Sequence, residues 1–289
     1  MLTNFLANSP MAWLNFHLTP YLRRKGIIPS TQVACQQGTQ QRDLISFLNN
    51  VKNWAERNER TIYVLKPDQT KGFDFLSPEG FYDATRAYGL PQSIIEMNKA
   101  ALYNNKCIPK TAFGPAESFV TSGLTRQGGS ISPLKCVMTS GMLHMWVRDC
   151  TKNMEGQVSI RKAIAMEGKY HTPADTLEVR PLIVEAMDDS LIMAFTLALL
   201  IRVAELLERA QYTYGSLTKV EKTHMYALGL TDGQVPETVI FKSISKERPD
   251  DPNAYTEHLK VERKGAETGQ QEGHTPTKPC PSCRAQPRS

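Results

Sequence analysis

At 289 residues, with 40% apolar and 22% charged residues, the chain can hold one large domain or two small ones, and it is too apolar to be fibrous or wholly disordered. A formal charge of +5 agrees with a polyanionic partner without demanding one, because the surplus is small and spread out rather than blocked. Six cysteines (Cys35, Cys107, Cys136, Cys150, Cys280, Cys283) are too few and too scattered for a disulfide scaffold, which favours a reducing, intracellular compartment. No basic segment precedes an apolar one in the first thirty residues, so no secretory signal is expected, and the longest apolar stretch, Leu191 to Ile201, is too short to span a bilayer.

In chain order, the segment from Leu2 to Lys25 is mostly apolar with a proline at Pro20, which predicts broken helices ending at Arg23-Arg24-Lys25 and Gly26. From Gln41 to Asn58, Leu44, Leu48, Val51 and Ala55 recur at helical spacing opposite charged residues, giving an amphipathic helix. Thr61 to Leu65 is β-branched, aromatic and aliphatic and reads as a strand, with Asp68 just past its end. A punctuated helix follows, with Ser77 as N-cap, Pro78 in the first turn, and Gly89 and Pro91 as stop signals; a second runs from Gln92 to about Tyr103. Short extended pieces are predicted from Ile108 to Val120. A glycine-rich loop, Gly123 to Ser130, then leads into a helix from about Ser132 to Cys150. Residues between Thr151 and Asp175 read as a polar insertion or long connection.

The richest signal is Ala186-Met187-Asp188-Asp189-Ser190, an acid pair between the apolar runs Pro181-Leu182-Ile183-Val184 and Leu191 to Phe195. This pattern predicts a β-hairpin whose turn carries both carboxylates, since Asp tolerates turn geometry and its flanks suit half-buried strands. Two hard oxygen donors suit Mg²⁺, yet a pair is an incomplete site, and Asp68 is the candidate for the third acid. Adjacent acids are also common in solvated turns, so the pair gains weight only from what precedes it. A helix from about Leu197 to Ala210 follows. Past Gly229 the chain changes character, and from Ser243 onward it is dense in Pro, Gly, Gln, Thr and mixed charge with few large apolar residues, which predicts a low-complexity, disordered tail. Strand, helices, glycine turn, helix and acid-pair hairpin can bring Asp68 beside Asp188 and Asp189 if the strands are neighbours; magnesium ions about 4 Å apart then suffice for an in-line phosphoryl displacement.

Asp68 to Asp74 resembles the first palm motif of reverse transcriptases, and Gly123 to Pro133 (G-L-T-R-Q-G-G-S-I-S-P) is similar to their glycine-rich motif. Ala186 to Ser190 resembles the acid-pair motif, and Tyr214-Gly215 with Glu221-Lys222-Thr223 resembles the lysine motif that follows. In this order they resemble RNA-directed DNA polymerases of non-LTR, LINE-like retrotransposons, over roughly Leu2 to Gly229. The resemblance implies an α+β fold: a polymerase palm of antiparallel sheet backed by helices over 61–229, partial helical fingers over 1–60, and the tail over 230–289. It implies that Asp68, Asp188 and Asp189 serve two Mg²⁺ ions, with Mn²⁺ a substitute, and that Lys222 lies near the pyrophosphate. Phe73 would lie against the sugar 2′-position, favouring deoxynucleotides, and Gln127, Gly128 and Gly129 along the incoming nucleotide and template. The partners implied are an RNA template, a DNA primer and dNTP, and the compartment the nucleus.

Departures from the family pattern motivate other readings. No basic fingers segment precedes Leu2, no thumb follows the lysine motif, and Pro67 removes a backbone donor beside Asp68, so a truncated copy that at most binds nucleic acid is the alternative. An unrelated metal-dependent phosphohydrolase is a third reading, which leaves Phe73 and Gln127 without an account. Cys280-Pro281-Ser282-Cys283 has the spacing of half a zinc site, completed by another molecule if at all.

Overall fold

The computed structural model of the protein describes residues 5–34, 38–69, 76–121, 125, 128–163, 176–187, 189–229, 235–243 and 255–264. At its centre lies strand β1 (Ile62–Lys66), where the β-branched and aromatic run predicts it. β1 pairs antiparallel on one side with β9 (Asp189–Ala194), itself the second arm of a hairpin with β8 (Ile183–Ala186). On its other side β1 pairs antiparallel with β10 (His224–Leu228). Two further strands, β11 (Thr238–Ser243) and β12 (Tyr255–Lys264), complete a sheet of order β11-β12-β10-β1-β9-β8, in which only the β10–β12 pairing is parallel.

Alternation along the strands sorts side chains to two faces. Leu65, Ile192, Ala194, Met225 and Ala227 pack under helix α6 (Leu197–Thr213). Ile62, Val64, Leu191 and Met193 meet helix α2 (Gln41–Arg57) through Val51 and Ala55, the stripe read from its sequence. Each fully buried aliphatic side chain contributes about 1.5–3 kcal/mol, so both faces are strongly held. A separate core joins helix α1 (Phe5–Arg24) to α3 (Pro78–Ala87), α4 (Gln92–Leu102) and α5 (Ser132–Thr151). Ser77 caps α3 as expected, accepting the Glu79 amide at 3.2 Å. Gly80 sits inside α3 because α5 crosses there: a Cβ would lie 2.5 Å from Thr139 Cγ2.

Some expectations are corrected. α1 is one helix that continues through Pro10 and Pro20 rather than breaking. Met11, Leu14, Leu18 and Leu22 form a buried stripe whose packing outweighs the bonds the prolines forfeit. The polar insertion after Thr151 contains a two-stranded sheet of β6 (Ile160–Ala163) and β7 (Thr176–Val179). There Ser159, Arg180 and Arg161 donate to the Glu178 carboxylate and hold its pKa down at about 2. Before α5, β2 (Asn105–Cys107) pairs with β5 (Phe119–Thr121), and β3 (Lys110–Thr111) with β4 (Gly114–Pro115).

The largest correction concerns the described residues past 230: rather than belonging to a structureless tail, 238–243 and 255–264 supply β11 and β12 to the main sheet, while 265–289 lie outside the described residues. Val239 and Val261 enter the core, and Ser243 Oγ donates to the buried Glu208 carboxylate of α6 at 2.5 Å. Gly229, at the end of β10, holds φ +94° with its missing Cβ position 2.3 Å from the Arg60 carbonyl oxygen. Gly229→Ala should therefore cost about 3 kcal/mol through positive-φ strain and backbone crowding, measured as a shift in urea midpoint at unchanged slope.

Candidate active site

The predicted hairpin forms, but Asp189 belongs to strand β9 rather than to the turn. Ala186 pairs with Asp189, so β8 and β9 are joined through Met187 and Asp188; Asp188 itself lies outside the described residues. Met187 adopts φ 68°, a left-handed conformation that costs a non-glycine residue about 1–3 kcal/mol and persists only where its surroundings fix it. Gln32 does much of the fixing. Almost wholly buried, it accepts the Met187 amide on Oε1 at 3.1 Å and donates from Nε2 to Glu185 Oε2 at 2.7 Å. The backbones lock alongside, with Val33 N–H donating to Glu185 O at 2.7 Å and Glu185 N–H to Thr31 O at 2.9 Å.

Glu185 is the hub of this support. It is 2% exposed, an ionisable side chain in a strand of otherwise apolar residues, and such a group must be paired. Ser190 Oγ donates to its Oε1 at 3.1 Å, and His144 Nε2 of α5 lies 2.6 Å from the same oxygen, as a close polar contact rather than an aligned hydrogen bond. Arg148, one turn further along α5, donates to Thr31 Oγ1 at 3.2 Å. Burial pushes its guanidinium pKa down, and the Glu185 carboxylate opposes that shift. Sequence reasoning passes over Gln32, His144, Glu185 and Ser190 as site residues. The available signal is Glu185, a charge within Ile183-Val184-Glu185-Ala186 three residues ahead of the acid pair.

Asp68 stands two residues past β1, half-buried, at the same end of the sheet as the hairpin turn. Extending the β1–β9 register beyond Leu65↔Ile192 brings Asp68 level with Asp189, whereas on the other side the 3₁₀ turn before β10 shifts the register, and the Gln69↔Thr218 bridge sets Asp68 beside Lys219 rather than Lys222. Its backbone is held by the segment before β10: Lys219 N–H donates to Asp68 O at 2.7 Å, and Asp68 N–H reaches Thr223 Oγ1 at 3.4 Å. Pro67 falls outside β1, so its missing donor removes no bond from the strand. Gln69 and Met187, the neighbours of Asp68 and Asp188, line one small cavity with Thr139, Leu143, Tyr214 and Ser216. The two acid-bearing segments thus converge.

Asp189 is exposed and pairs with Lys66, Nζ to Oδ1 at 3.3 Å. Lys222 ends a 3₁₀ turn (Val220–Lys222) and is exposed. Gly128, at φ 80°, and Gly129 precede α5, whose Ser132 amide donates to Gly129 O at 3.0 Å. That turn leans on α1 through Ser130 Oγ donating to Asn8 Oδ1 at 2.9 Å, whereas Met187 meets the middle of α5, about 10–20 Å further along its axis. Phe73 and Gln127 lie outside the described residues, as do Cys280 and Cys283. Among the described residues, which omit Asp188, no group of three or more His, Cys, Asp or Glu side chains is arranged to hold a metal, and no helix is long and apolar enough to cross a membrane.

No family model matches the chain. Over 112 residues, 39% of its length, it is 25% identical to the retrovirus-related Pol polyprotein from the type-2 retrotransposable element R2DM of Drosophila melanogaster, of which it spans 10%. Its fold is similar to telomerase from Candida albicans in complex with a fragment of telomeric RNA, at TM-score 0.55 and 13% identity over 81% of this chain and 36% of that one. It is equally similar to apo telomerase from Candida tropicalis truncated from its C-terminal domain, at TM-score 0.55 and 13% identity, covering 80% and 42% of the two chains. The chain therefore shares with these telomerases an α+β fold with a mostly antiparallel sheet and helices on both faces. Part of its sequence is similar to a retrotransposon Pol polyprotein of which it spans a small share.

Proposed function

We propose that this chain carries the palm, over residues 61–229, of an RNA-directed DNA polymerase that adds deoxynucleotides to a primer 3′ end, with residues 1–60 as partial fingers. One observation carries the proposal: Gln69 and Met187 share a cavity wall, so the segments bearing Asp68 and Asp188 converge at one end of the sheet. The donor set fits magnesium, since carboxylate oxygens alone suit a hard cation that keeps waters and substrate phosphates as its other ligands. Asp68 and Asp188 would hold the ions, with Asp189 as the supporting acid. Magnesium, when bound, supplies charge for the triphosphate and acidifies the attacking hydroxyl.

The remaining roles belong to the chain itself. Lys222, exposed at the end of the 3₁₀ turn whose neighbouring residue Lys219 bonds the Asp68 backbone, would neutralise or protonate the departing pyrophosphate. Phe73 would exclude a 2′-hydroxyl, and Gly128 and Gly129 beside Gln127 would let template and nucleotide approach the backbone. The RNA fragment named with the Candida albicans telomerase supports a nucleic-acid partner here. Lys66 favours a second reading, an inactive nucleic-acid binder, because its ammonium already partners Asp189. Primer extension on an RNA template separates the two. The polymerase reading expects incorporation that prefers dNTP over rNTP, stops on chelation and returns with Mg²⁺ or Mn²⁺. Binding of template-primer without extension at any metal concentration would overturn it.

A further inference from the structure

α1 presents two unlike faces. Met11, Leu14, Leu18 and Leu22 are buried, while on the opposite side Trp13 is 64% exposed and Phe16 75%. At about 100° per residue, Trp13, Phe16, His17, Pro20 and Arg24 fall on a single stripe. The His17 ring joins the aromatics into one surface, 4.7 Å from Trp13 and 5.2 Å from Phe16 between centroids. Exposed large aromatics of this kind mark interaction sites rather than ordinary surface.

The stripe runs into a cationic cleft. Where α1 ends, a hollow of about 830 Å³ is lined by Arg23, Arg24 and, from α5, Arg148 and Met145. Among the described residues no aspartate or glutamate lines that hollow, and α1 itself contains none. Burial lowers the Arg148 guanidinium pKa while the Glu185 carboxylate opposes that shift, and an anion in the hollow would act in the same direction as Glu185. Lys25, whose Nζ lies 6.0 Å over the Tyr21 ring, adds a further cation beside it.

A row of exposed rings leading to clustered guanidinium groups has the chemistry of a platform for single strands: ring faces stack unpaired bases of any sequence, and arginines follow the phosphates. An apolar protein partner would make no use of the arginine charge, and duplex nucleic acid offers no free base faces to Trp13 and Phe16. We propose that the outward face of α1, with the arginine hollow at its end, binds single-stranded nucleic acid, apart from the acid turn and independently of whether that turn is active.

The test is binding of the full chain to a single-stranded RNA 20-mer and to the matching duplex, followed by Trp fluorescence and anisotropy, beside circular dichroism to confirm folding. Trp13→Ala/Phe16→Ala should weaken single-strand binding by about tenfold or more, with Trp13→Phe keeping most of the affinity. Arg23→Ala/Arg24→Ala should flatten the slope of log affinity against log salt by about 0.7 for each phosphate no longer neutralised. Unchanged single-strand affinity in the aromatic variant, or a duplex bound as tightly as the single strand, would overturn the proposal. So would a self-association that the aromatic variant abolishes while RNA affinity stays at the wild-type value, since the face would then join copies of the chain. Primer extension by the same variants keeps the questions apart: single-strand binding without any synthesis leaves this proposal standing and removes the polymerase reading.

Discussion

Asp68→Asn should lower nucleotide incorporation about a thousandfold while leaving the melting temperature within a degree or so of the wild type. The rate effect follows from charge: a ligand to a catalytic divalent ion stabilises developing phosphoryl charge by several kcal/mol, and about 4 kcal/mol is a factor of a thousand. The small thermal effect follows from the structure. Asp68 is held through its backbone, by Lys219 and Thr223, and the amide side chain keeps the shape of the acid. Asp188→Asn should match it. Asp189→Asn should cost less, since that carboxylate is exposed and shared with Lys66. Single-turnover incorporation rates measure all three, and wild-type rates in Asp68→Asn would remove that residue from the site.

Glu185→Ala should be the most destabilising single change near the hairpin, by about 3–5 kcal/mol in urea unfolding, because it strips the buried partner from His144, Gln32 and Ser190 at once and leaves Arg148 without its nearby countercharge. Glu185→Gln preserves most of the hydrogen bonds and should cost about 1–2 kcal/mol. The loss should couple to chemistry, since Gln32 holds both Glu185 and the strained Met187 amide, so slackening one loosens the turn that carries the acids. Combining Glu185→Ala with His144→Ala should cost markedly less than the separate losses added together. A Glu185→Ala protein within 1 kcal/mol of wild type would show that the network does not bear the hairpin.

Local chemistry made much of this legible in the sequence. The hairpin follows from two pleated runs around an acid pair, α2 from its 3.6-residue stripe, and α3 from Ser77, Pro78 and Gly89. What escaped was decided by distant partners. β12 reads as hydrophilic because its described core contribution is Val261, and its pairing with β11 and β10 makes it a strand. α1 survives Pro20 because its leucine stripe meets α5, and no window around the proline contains that partner. Glu185 reads as one more surface acid until Gln32, more than a hundred residues earlier, closes over it.

The sharpest test of a shared metal site is a crystal structure with Mn²⁺ and a nucleoside triphosphate, the metal located by anomalous scattering. Manganese should be held by carboxylate oxygens of both Asp68 and Asp188 at about 2.1 Å, against the triphosphate. Manganese bound elsewhere, or Asp68 turned away from Asp188 with the nucleotide present, would contradict the polymerase reading.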